Sequence, residues 1–185
     1  MKKIILSVCI LGMCAFTLGA QENSAVKAIV YHYAARNFFS GAISKADLDT
    51  IIQAGIHSPS AANRQPWHFT VVQNAALARQ IISNNTDGNV LIVISAPGDG
   101  KTNGAQILDC GLAAQSMYLA AQALGLGSRI YTGPVDSVNK DLKSALSLPS
   151  NHNVVVIIRI GKVQQVDAVT AASARNSADK LVTYK

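Results

Sequence analysis

The chain has few of the residues that build the more specialised classes of protein. Of its 185 residues, aromatic residues make up 5% and charged residues 14%, and there are three cysteines. Two of these, Cys9 and Cys14, lie in an apolar N-terminal stretch, so residues 21–185 keep only Cys110. A single cysteine cannot form an internal disulfide. The chain must therefore be stabilised by a hydrophobic core, which a hydrophobic content of 49% permits.

Several functional classes find little support in the composition. The 16 basic residues exceed the 10 acidic ones, but they are scattered along the chain rather than clustered. Nucleic-acid binding proteins present a concentrated basic patch, so no nucleic-acid partner is predicted. No Gly-x-Ser-x-Gly motif suggests a hydrolase. A metal site is not predicted either, because the four histidines lack the spacing of metal ligands: His32, His57, His68 and His152.

The first twenty residues have the layout of a secretory signal peptide. A basic "MKK" precedes the apolar run "IILSVCILGMCAF" and a small-residue cleavage site, "TLGA", before Gln21. A transmembrane anchor is the alternative, but the apolar run is shorter than the ~20 residues that span a bilayer. We therefore predict a cleaved signal peptide at 1–20, one domain at 21–185 with no membrane span, and export to the periplasm.

Helical and strand patterns alternate along the rest of the chain and predict an α/β or α+β domain. "WHFTVVQ", "NVLIVIS" and "NVVVIIRIG" indicate strands. The long segment "GAQILDCGLAAQSMYLAAQALGLG" is apolar all round, which favours a helix that packs on its own sheet and on a second subunit. At the end of the chain, "KLVTY" can add an edge strand.

One short stretch carries more polar groups than a chain reversal requires. "SPSAANRQPWHFTVV" begins at Ser58, where a helical pattern ends, and runs into a strand that contains the only tryptophan. Loops held between rigid elements are common places for binding groups. An ordinary turn, with Asn63 and Gln65 bonded to the local backbone, is the alternative, and composition leaves both interpretations open.

This stretch closely resembles the signature of the nitroreductase family of flavin-dependent NAD(P)H oxidoreductases. Other segments match the family in order and spacing: "YHYAARNFF", "DCGLAAQSMYLAAQALGLGS", "IYTG" and "SARNSADKLVTY". The resemblance implies an α+β nitroreductase-like fold, with a central, mostly antiparallel sheet flanked by helices. It also implies an intertwined homodimer with FMN at the subunit interface.

By the same resemblance, the protein is an enzyme that passes electrons from NAD(P)H through FMN to a nitro compound, a quinone or a similar small-molecule acceptor. The flavin carries the reaction in such enzymes, so no catalytic side chain is assigned. The cofactor-binding residues carried over from the family are His32, Tyr33, Ala34, Arg36, Pro59, Ser60, Ala61, Asn63, Thr132, Gly133 and Arg175.

The resemblance also implies a role for each group of residues. Arg36 and Arg175 would contact the FMN phosphate or ribityl chain, since a guanidinium matches phosphate geometry. Residues 59–63 would line the flavin from the partner chain, with Asn63 at its polar edge. The backbone amides of Thr132 and Gly133 would face the flavin ring near N5.

Two features depart from the family pattern. The family usually has arginine at the position of His32 and often serine at that of Ala34, so one phosphate-binding charge is weaker here. Export also separates the protein from the cytoplasmic NAD(P)H pool. Another redox protein as donor, or a flavin-binding or non-catalytic protein on the same fold, therefore stay open as alternatives.

Overall fold

The computed structural model describes residues 24–98, 103–164 and 173–185. The predicted signal peptide, residues 1–20, lies outside them. Within the described residues, no helix is long and apolar enough to cross a membrane. The strands are β1 (His68–Val72), β2 (Val90–Pro97), β3 (Gly127–Tyr131) and β4 (His152–Gly161). The helices are α1 (Ser24–Val30), α2 (Lys45–Ile56), α3 (Ala75–Ile81), α4 (Gly104–Ala123), α5 (Val135–Asp141) and α6 (Ala178–Leu181).

The four strands form one antiparallel sheet in the order β1-β2-β4-β3. β2 and β4 occupy the centre and are almost entirely buried, which explains their continuous apolar sequences. The α+β class and the antiparallel sheet flanked by helices, both predicted from the sequence, are confirmed.

Each face of the sheet packs against its own pair of helices. On one face, Ile92 and Ile158 join a core with α2 and α4, which contribute Leu48 and Met117 among others. On the opposite face, alternate residues such as Leu91 join a second core with α3 and α5. We call these the α4 face and the α5 face. Side chains alternate along each strand, so neighbouring residues of one strand serve different cores.

Helix α4 begins and ends at recognisable signals. At its N-terminus, Asn103 and Gln106 form a capping box, in which each side chain accepts a hydrogen bond from the other residue's backbone N–H. At its C-terminus, Gly125 takes a left-handed conformation with φ of 75°. Between these ends, Cys110 is fully buried, whereas Ile107 and Leu108 are 49% and 63% exposed.

The structure differs from the sequence-based expectations near the two ends of the described chain. The predicted edge strand "KLVTY" is wrong: Lys180 and Leu181 belong to the short helix α6, and Val182 onward is irregular. This tail is exposed throughout, so no buried face selects a strand there. Near the start, the apolar spacing of Val26, Ile29, Val30 and Tyr33 predicts a helix that includes Tyr33, but α1 ends at Val30 and Tyr33 lies in an extended segment.

Gly55 allows α2 to lie close against α4, and we expect its replacement by alanine to destabilise the protein. A Cβ at Gly55 would lie 1.9 Å from the Met117 Cε and 2.9 Å from its Cγ. The gain in helix propensity, about 1 kcal/mol, is outweighed by an overpacking cost of about 1–3 kcal/mol. Urea unfolding of Gly55→Ala should therefore show a lower free energy of unfolding than the wild type.

Gly104→Ala is the matched control, because a Cβ at this helical position meets no atom within 4 Å. It should leave the stability unchanged or slightly raised. Equal behaviour of the two variants would contradict the close helix contact.

Candidate functional site

The turn that follows α2 is fastened to α4 by two hydrogen bonds. The Ser58 hydroxyl donates to the Ser116 hydroxyl at 2.8 Å. The Ala61 backbone N–H donates to the Asp109 carboxylate at 3.0 Å, and Asp109 itself is only 3% exposed. Hydrogen bonds to a charged acceptor are stronger than neutral ones. The turn is therefore held at two points, both by polar side chains of an otherwise apolar helix.

The backbone of this turn is strained. Ala62, Asn63 and Gln65 have φ angles of 51°, 53° and 47°, in the left-handed region. Residues other than glycine occupy this region at a cost of order 1–2 kcal/mol each. Such strain persists only where the surroundings impose it, and it concentrates at functional sites. Three strained residues within four positions therefore mark this turn as a candidate site.

Hydrogen bonds inside the turn fix its shape and leave polar groups at its surface. The Gln65 backbone N–H donates to the Ser60 hydroxyl at 3.0 Å, and the Gln65 side-chain amide donates to the Asn63 side-chain oxygen at 3.0 Å. Asn63 is exposed, as are Pro59 and Ala61, whereas Ser60 is half-buried. The Asn63 amide nitrogen donates no hydrogen bond within the described residues, so it is available to a ligand.

A second group of predicted residues lies in the extended segment after α1. Gln122 of α4 binds both backbone groups of Tyr33: its side-chain oxygen accepts from the N–H at 3.2 Å and its nitrogen donates to the carbonyl at 2.8 Å. The Ala35 N–H donates to the Ser128 carbonyl of β3 at 3.0 Å. This segment is thus fixed on the C-terminal half of α4 and on β3.

Cationic groups gather around the buried Tyr118 of α4. The His32 ring meets the Tyr118 ring edge-on, with 5.5 Å between centroids, while its Nδ1 lies 2.6 Å from the Ile29 carbonyl oxygen. Burial raises the pKa of Tyr118, and a hydrogen bond with Gln122 and then the nearby charge of Arg175 oppose that rise. The segment with His32 and Tyr33 and the distant Arg175 therefore come together at Tyr118.

Arg36 and Ala34 are exposed beside this cluster, one on each side of the buried Ala35. Among the residues that the structure describes, none accepts a hydrogen bond from the Arg36 guanidinium. The Arg175 guanidinium donates to the backbone carbonyl of Ser173 at 2.7 Å. Both arginines keep N–H groups available for an anion.

Thr132 and Gly133 follow β3 and are exposed. The Thr132 carbonyl accepts from the Val135 N–H at 3.1 Å, which ties the connection to the start of α5. A Cβ at Gly133 would meet no atom within 4 Å, so the backbone borders open space. A ligand can therefore approach the main chain closely at this point.

Within one chain, the polar turn (residues 58–65) and the extended segment that carries His32 and Arg36 (residues 32–36, called the cationic segment below) contact different parts of α4. Asp109 anchors the turn and Gln122 anchors the segment, 13 positions apart along the helix, or about 20 Å. Only an elongated ligand, or a second copy of the chain, can bring both groups onto one molecule.

Sequence reasoning overlooked the polar anchors of this arrangement, Asp109, Ser116 and Gln122. Their signal was present: each is a polar residue in a long helix made mostly of alanine and larger apolar residues. A buried polar group must find a partner, so such residues indicate what the helix holds in place.

Other potential reactive groups do not add to the site. Burial, and secondarily the charge of Asp109, raises the pKa of Cys110 to about 12, so its thiol stays protonated at neutral pH. The part of the chain that the structure describes contains no group of three or more potential metal ligands of the His, Cys, Asp and Glu types.

The donor set fits a flavin mononucleotide. Guanidinium groups and an imidazole suit a phosphate, the exposed amide of Asn63 suits the polar edge of the ring, and open backbone at Gly133 suits its close approach. The fold and these residues together define an α+β domain whose exposed polar and basic groups can receive an anionic, elongated ligand. A model of the nitroreductase family matches residues 29–89 and 83–162, and the chain belongs to that family.

Individual relatives agree with this assignment over most of their length. A protein of Archaeoglobus fulgidus, provisionally named NADH dehydrogenase/NAD(P)H nitroreductase, is 29% identical over 169 residues, which cover 86% of this chain and 97% of that protein. A Methanothermobacter thermautotrophicus protein with the same name is 28% identical over 149 residues, covering 76% of this chain and 78% of that protein.

Solved structures show the same fold. A structure from Desulfovibrio desulfuricans, provisionally described as a nitroreductase in complex with FMN, gives a TM-score of 0.75 at 25% identity and covers 89% of this chain and 98% of its own. A Bacteroides fragilis nitroreductase with bound FMN gives 0.71 at 21% identity, covering 88% of this chain and 100% of its own. The second likeness concerns the fold alone.

Asp109→Ala should loosen the turn at residues 58–65 without unfolding the protein. The lost bond to the Ala61 N–H is worth about 1.5–3 kcal/mol, so amide exchange at Ala61 should become about 10- to 100-fold faster. Hydrogen–deuterium exchange followed by NMR measures this locally. Asp49→Ala removes an exposed aspartate paired with Lys45 and should leave the turn unaffected. An unchanged exchange rate at Ala61 in Asp109→Ala would show that the carboxylate does not hold the turn.

Proposed function

We propose that this protein is an FMN-dependent oxidoreductase that takes electrons from NAD(P)H and passes them to a small-molecule acceptor. The proposal rests on the strained polar turn at residues 58–65. This turn, which resembles the family signature, is held rigidly against α4 and is exposed to solvent. Membership of the nitroreductase family and the FMN complex of the Desulfovibrio desulfuricans structure support it.

When bound, FMN supplies the two-electron chemistry, accepting a hydride from NAD(P)H and delivering electrons to the acceptor. The chain's own residues bind and orient it. Arg36 and Arg175 would hold the phosphate with guanidinium forks, and His32 would add a third cation when protonated. Tyr33 and Ala34 would line this end through the backbone that Gln122 and β3 hold in place.

The other residues would surround the ring. Pro59, Ser60 and Ala61 present a rigid wall, and the Asn63 amide would donate to the polar edge of the flavin. Backbone N–H groups at Thr132 and Gly133 would face the part of the ring that gains negative charge on reduction. Donors fixed by the fold stabilise such charge without having to reorganise.

The site is completed, in this proposal, by a second copy of the chain. α4 exposes Ile107, Leu108 and Leu112 at 49%, 63% and 37%. A contiguous exposed apolar surface of this kind typically marks a protein–protein interface. Pairing two α4 helices would bring the polar turn of one copy towards the cationic segment of the other. The two groups, which are far apart within one chain, would then be able to bind the same FMN molecule.

A nitro compound or quinone is the acceptor class that we propose, in an exported, periplasmic protein. The polar turn and the backbone at Gly133 are exposed, so a planar acceptor could reach a flavin bound there. If export holds, the donor in the cell is either NAD(P)H supplied locally or a second redox protein, and reduction assays with each distinguish the two.

Residues 21–185, purified after expression, should be yellow and should release FMN on denaturation at a ratio approaching one per chain. Arg175→Gln should weaken FMN binding about 10- to 100-fold, because a charge-assisted bond to phosphate is lost. Asn63→Ala should weaken it about three- to tenfold, the value of a neutral hydrogen bond. Quenching of flavin fluorescence measures both affinities.

Lys140→Gln serves as the control, since it removes an exposed positive charge on α5, away from these residues. It should bind FMN as the wild type does. A colourless protein that takes up no added FMN would overturn the proposed function. Equal weakening by Arg175→Gln and Lys140→Gln would show that the effect of Arg175→Gln comes from net charge alone.

The proposed interface makes a separate prediction. Leu108→Glu places a carboxylate in the exposed apolar surface of α4, so the protein should become monomeric and lose FMN together with the dimer. Light scattering coupled to gel filtration gives the mass, and the absorption spectrum gives the flavin content. Ala46→Glu, on the exposed side of α2, should change neither. A wild-type protein that is monomeric yet binds FMN fully would contradict a shared site.

A further inference from the structure

Two arginines stand directly opposite each other on neighbouring strands. Arg129 of β3 pairs in register with Arg159 of β4. Both point to the α5 face, since Ile130 and Ile158, their neighbours in sequence, pack in the core of the α4 face. Like charges directly opposite on adjacent strands destabilise a sheet. The pair therefore requires a physical reason for its presence.

Arg159 is almost completely buried, at 3% exposed. Its Nε donates to the Asn89 side-chain oxygen at 2.9 Å, and its Nη2 and Nη1 donate to Thr86 at 2.9 Å and to Asn84 at 3.4 Å. Its guanidinium also lies over the Phe38 ring at 4.2 Å. All these partners are neutral, so the charge is fixed in position but not compensated.

Arg129 has still fewer partners. It is half-buried, and its guanidinium lies 5.0 Å from the centre of the Tyr131 ring. Within residues 24–98, 103–164 and 173–185, no carboxylate pairs with it and no oxygen accepts its hydrogen bonds. Burial lowers the pKa of Arg159, the positive charge of Arg129 lowers it further, and Tyr131 opposes both effects. The charge of Arg129 is thus felt by the guanidinium group of Arg159.

We propose that Arg129 and Arg159 form a binding site for a phosphate-class oxyanion on the α5 face of the sheet. Arg129 presents its planar fork at the surface, and Arg159 supplies a second positive charge from beneath. A doubly charged tetrahedral anion suits two guanidinium groups better than a singly charged one does. Asn84 and the Tyr131 hydroxyl lie beside the pair and can complete the contacts.

This site is separate from the residues proposed to hold the FMN phosphate. Of those residues, His32, Tyr33 and Arg175 lie near Tyr118 or Gln122 of α4, on the other face of the sheet. The anion is either free phosphate or the phosphate group of an ester. The inference rests on the arginine pair alone and holds whether or not the protein binds FMN.

Phosphate titration of the FMN-saturated protein tests the site, because FMN then occupies the other phosphate-binding residues. If no FMN binds, the same titration is made on the Arg36→Gln, Arg175→Gln double variant. Calorimetry gives the affinity for inorganic phosphate and for methyl phosphate, and thermal unfolding gives the stabilisation. Potassium chloride at equal ionic strength controls for screening.

Arg129→Gln should weaken phosphate binding at least tenfold and abolish the rise in Tm. Without phosphate it should be at least as stable as the wild type, because the repulsion between like charges is removed. Arg129→Lys should bind at intermediate strength, since it keeps the charge but loses the fork. Arg79→Gln is the matched control: this exposed arginine already pairs with Asp87, so phosphate should act on that variant as on the wild type.

Tighter binding of inorganic phosphate than of methyl phosphate supports a site for the free anion, and the reverse supports a site for an ester. The proposal is overturned if chloride at equal ionic strength stabilises as much as phosphate, or if Arg129→Gln binds phosphate as the wild type does. It is also overturned if Arg129→Gln is less stable than the wild type without phosphate, since Arg129 would then have a stabilising partner within the protein.

Discussion

The position of both halves of the candidate site depends on the polar side chains of α4. Asp109 and Ser116 hold the turn at residues 58–65, and Gln122 holds the backbone of Tyr33. α4 is itself fixed by the sheet core on one side and by α2 on the other, with Gly55 allowing the close approach. The site therefore inherits its geometry from the most rigid part of the fold rather than from its own loops.

The energetics of the turn show why such anchoring is needed. Three left-handed residues cost about 3–6 kcal/mol together. One charged and three neutral hydrogen bonds, through Asp109, Ser116, Ser60 and Asn63, return about 3–7 kcal/mol. These terms nearly cancel, so the turn keeps its shape only while it is docked on α4. A change that moves α4 would be felt at the site even though it touches no ligand.

The sequence predicts those features that depend on local pattern and leaves out those that depend on distant partners. The apolar runs of β2 and β4 predict buried strands. At the start of α2, the Ser44 side chain accepts a hydrogen bond from the Asp47 N–H, a cap whose spacing is visible in the sequence. The left-handed conformation of Ala62 is invisible in the sequence, because alanine has no preference for it and the adjacent Ala61 is held by Asp109, 48 positions away. The tail after Lys180 shows the opposite case. Val182 and Thr183 favour a strand by their local preference, but a strand forms only where it can pair with a sheet edge, and this tail pairs with none of the described strands.

The distribution of charge links the candidate site to the arginine pair. In the part of the chain that the structure describes, the ion pairs are Lys45–Asp49 and Arg79–Asp87, both at the surface. Asp109 is engaged by a backbone amide, so it neutralises no cation. Five guanidinium groups consequently have no carboxylate partner in those residues: Arg36, Arg64, Arg129, Arg159 and Arg175. Arg36, Arg64 and Arg175 are exposed, whereas Arg159 is buried and Arg129 half-buried on the α5 face. Water solvates an exposed guanidinium group, so its charge costs little free energy when no ligand is bound. The like charges of Arg129 and Arg159 are largely shielded from water. A bound anion would therefore raise the free energy of unfolding more at this pair than at the exposed arginines.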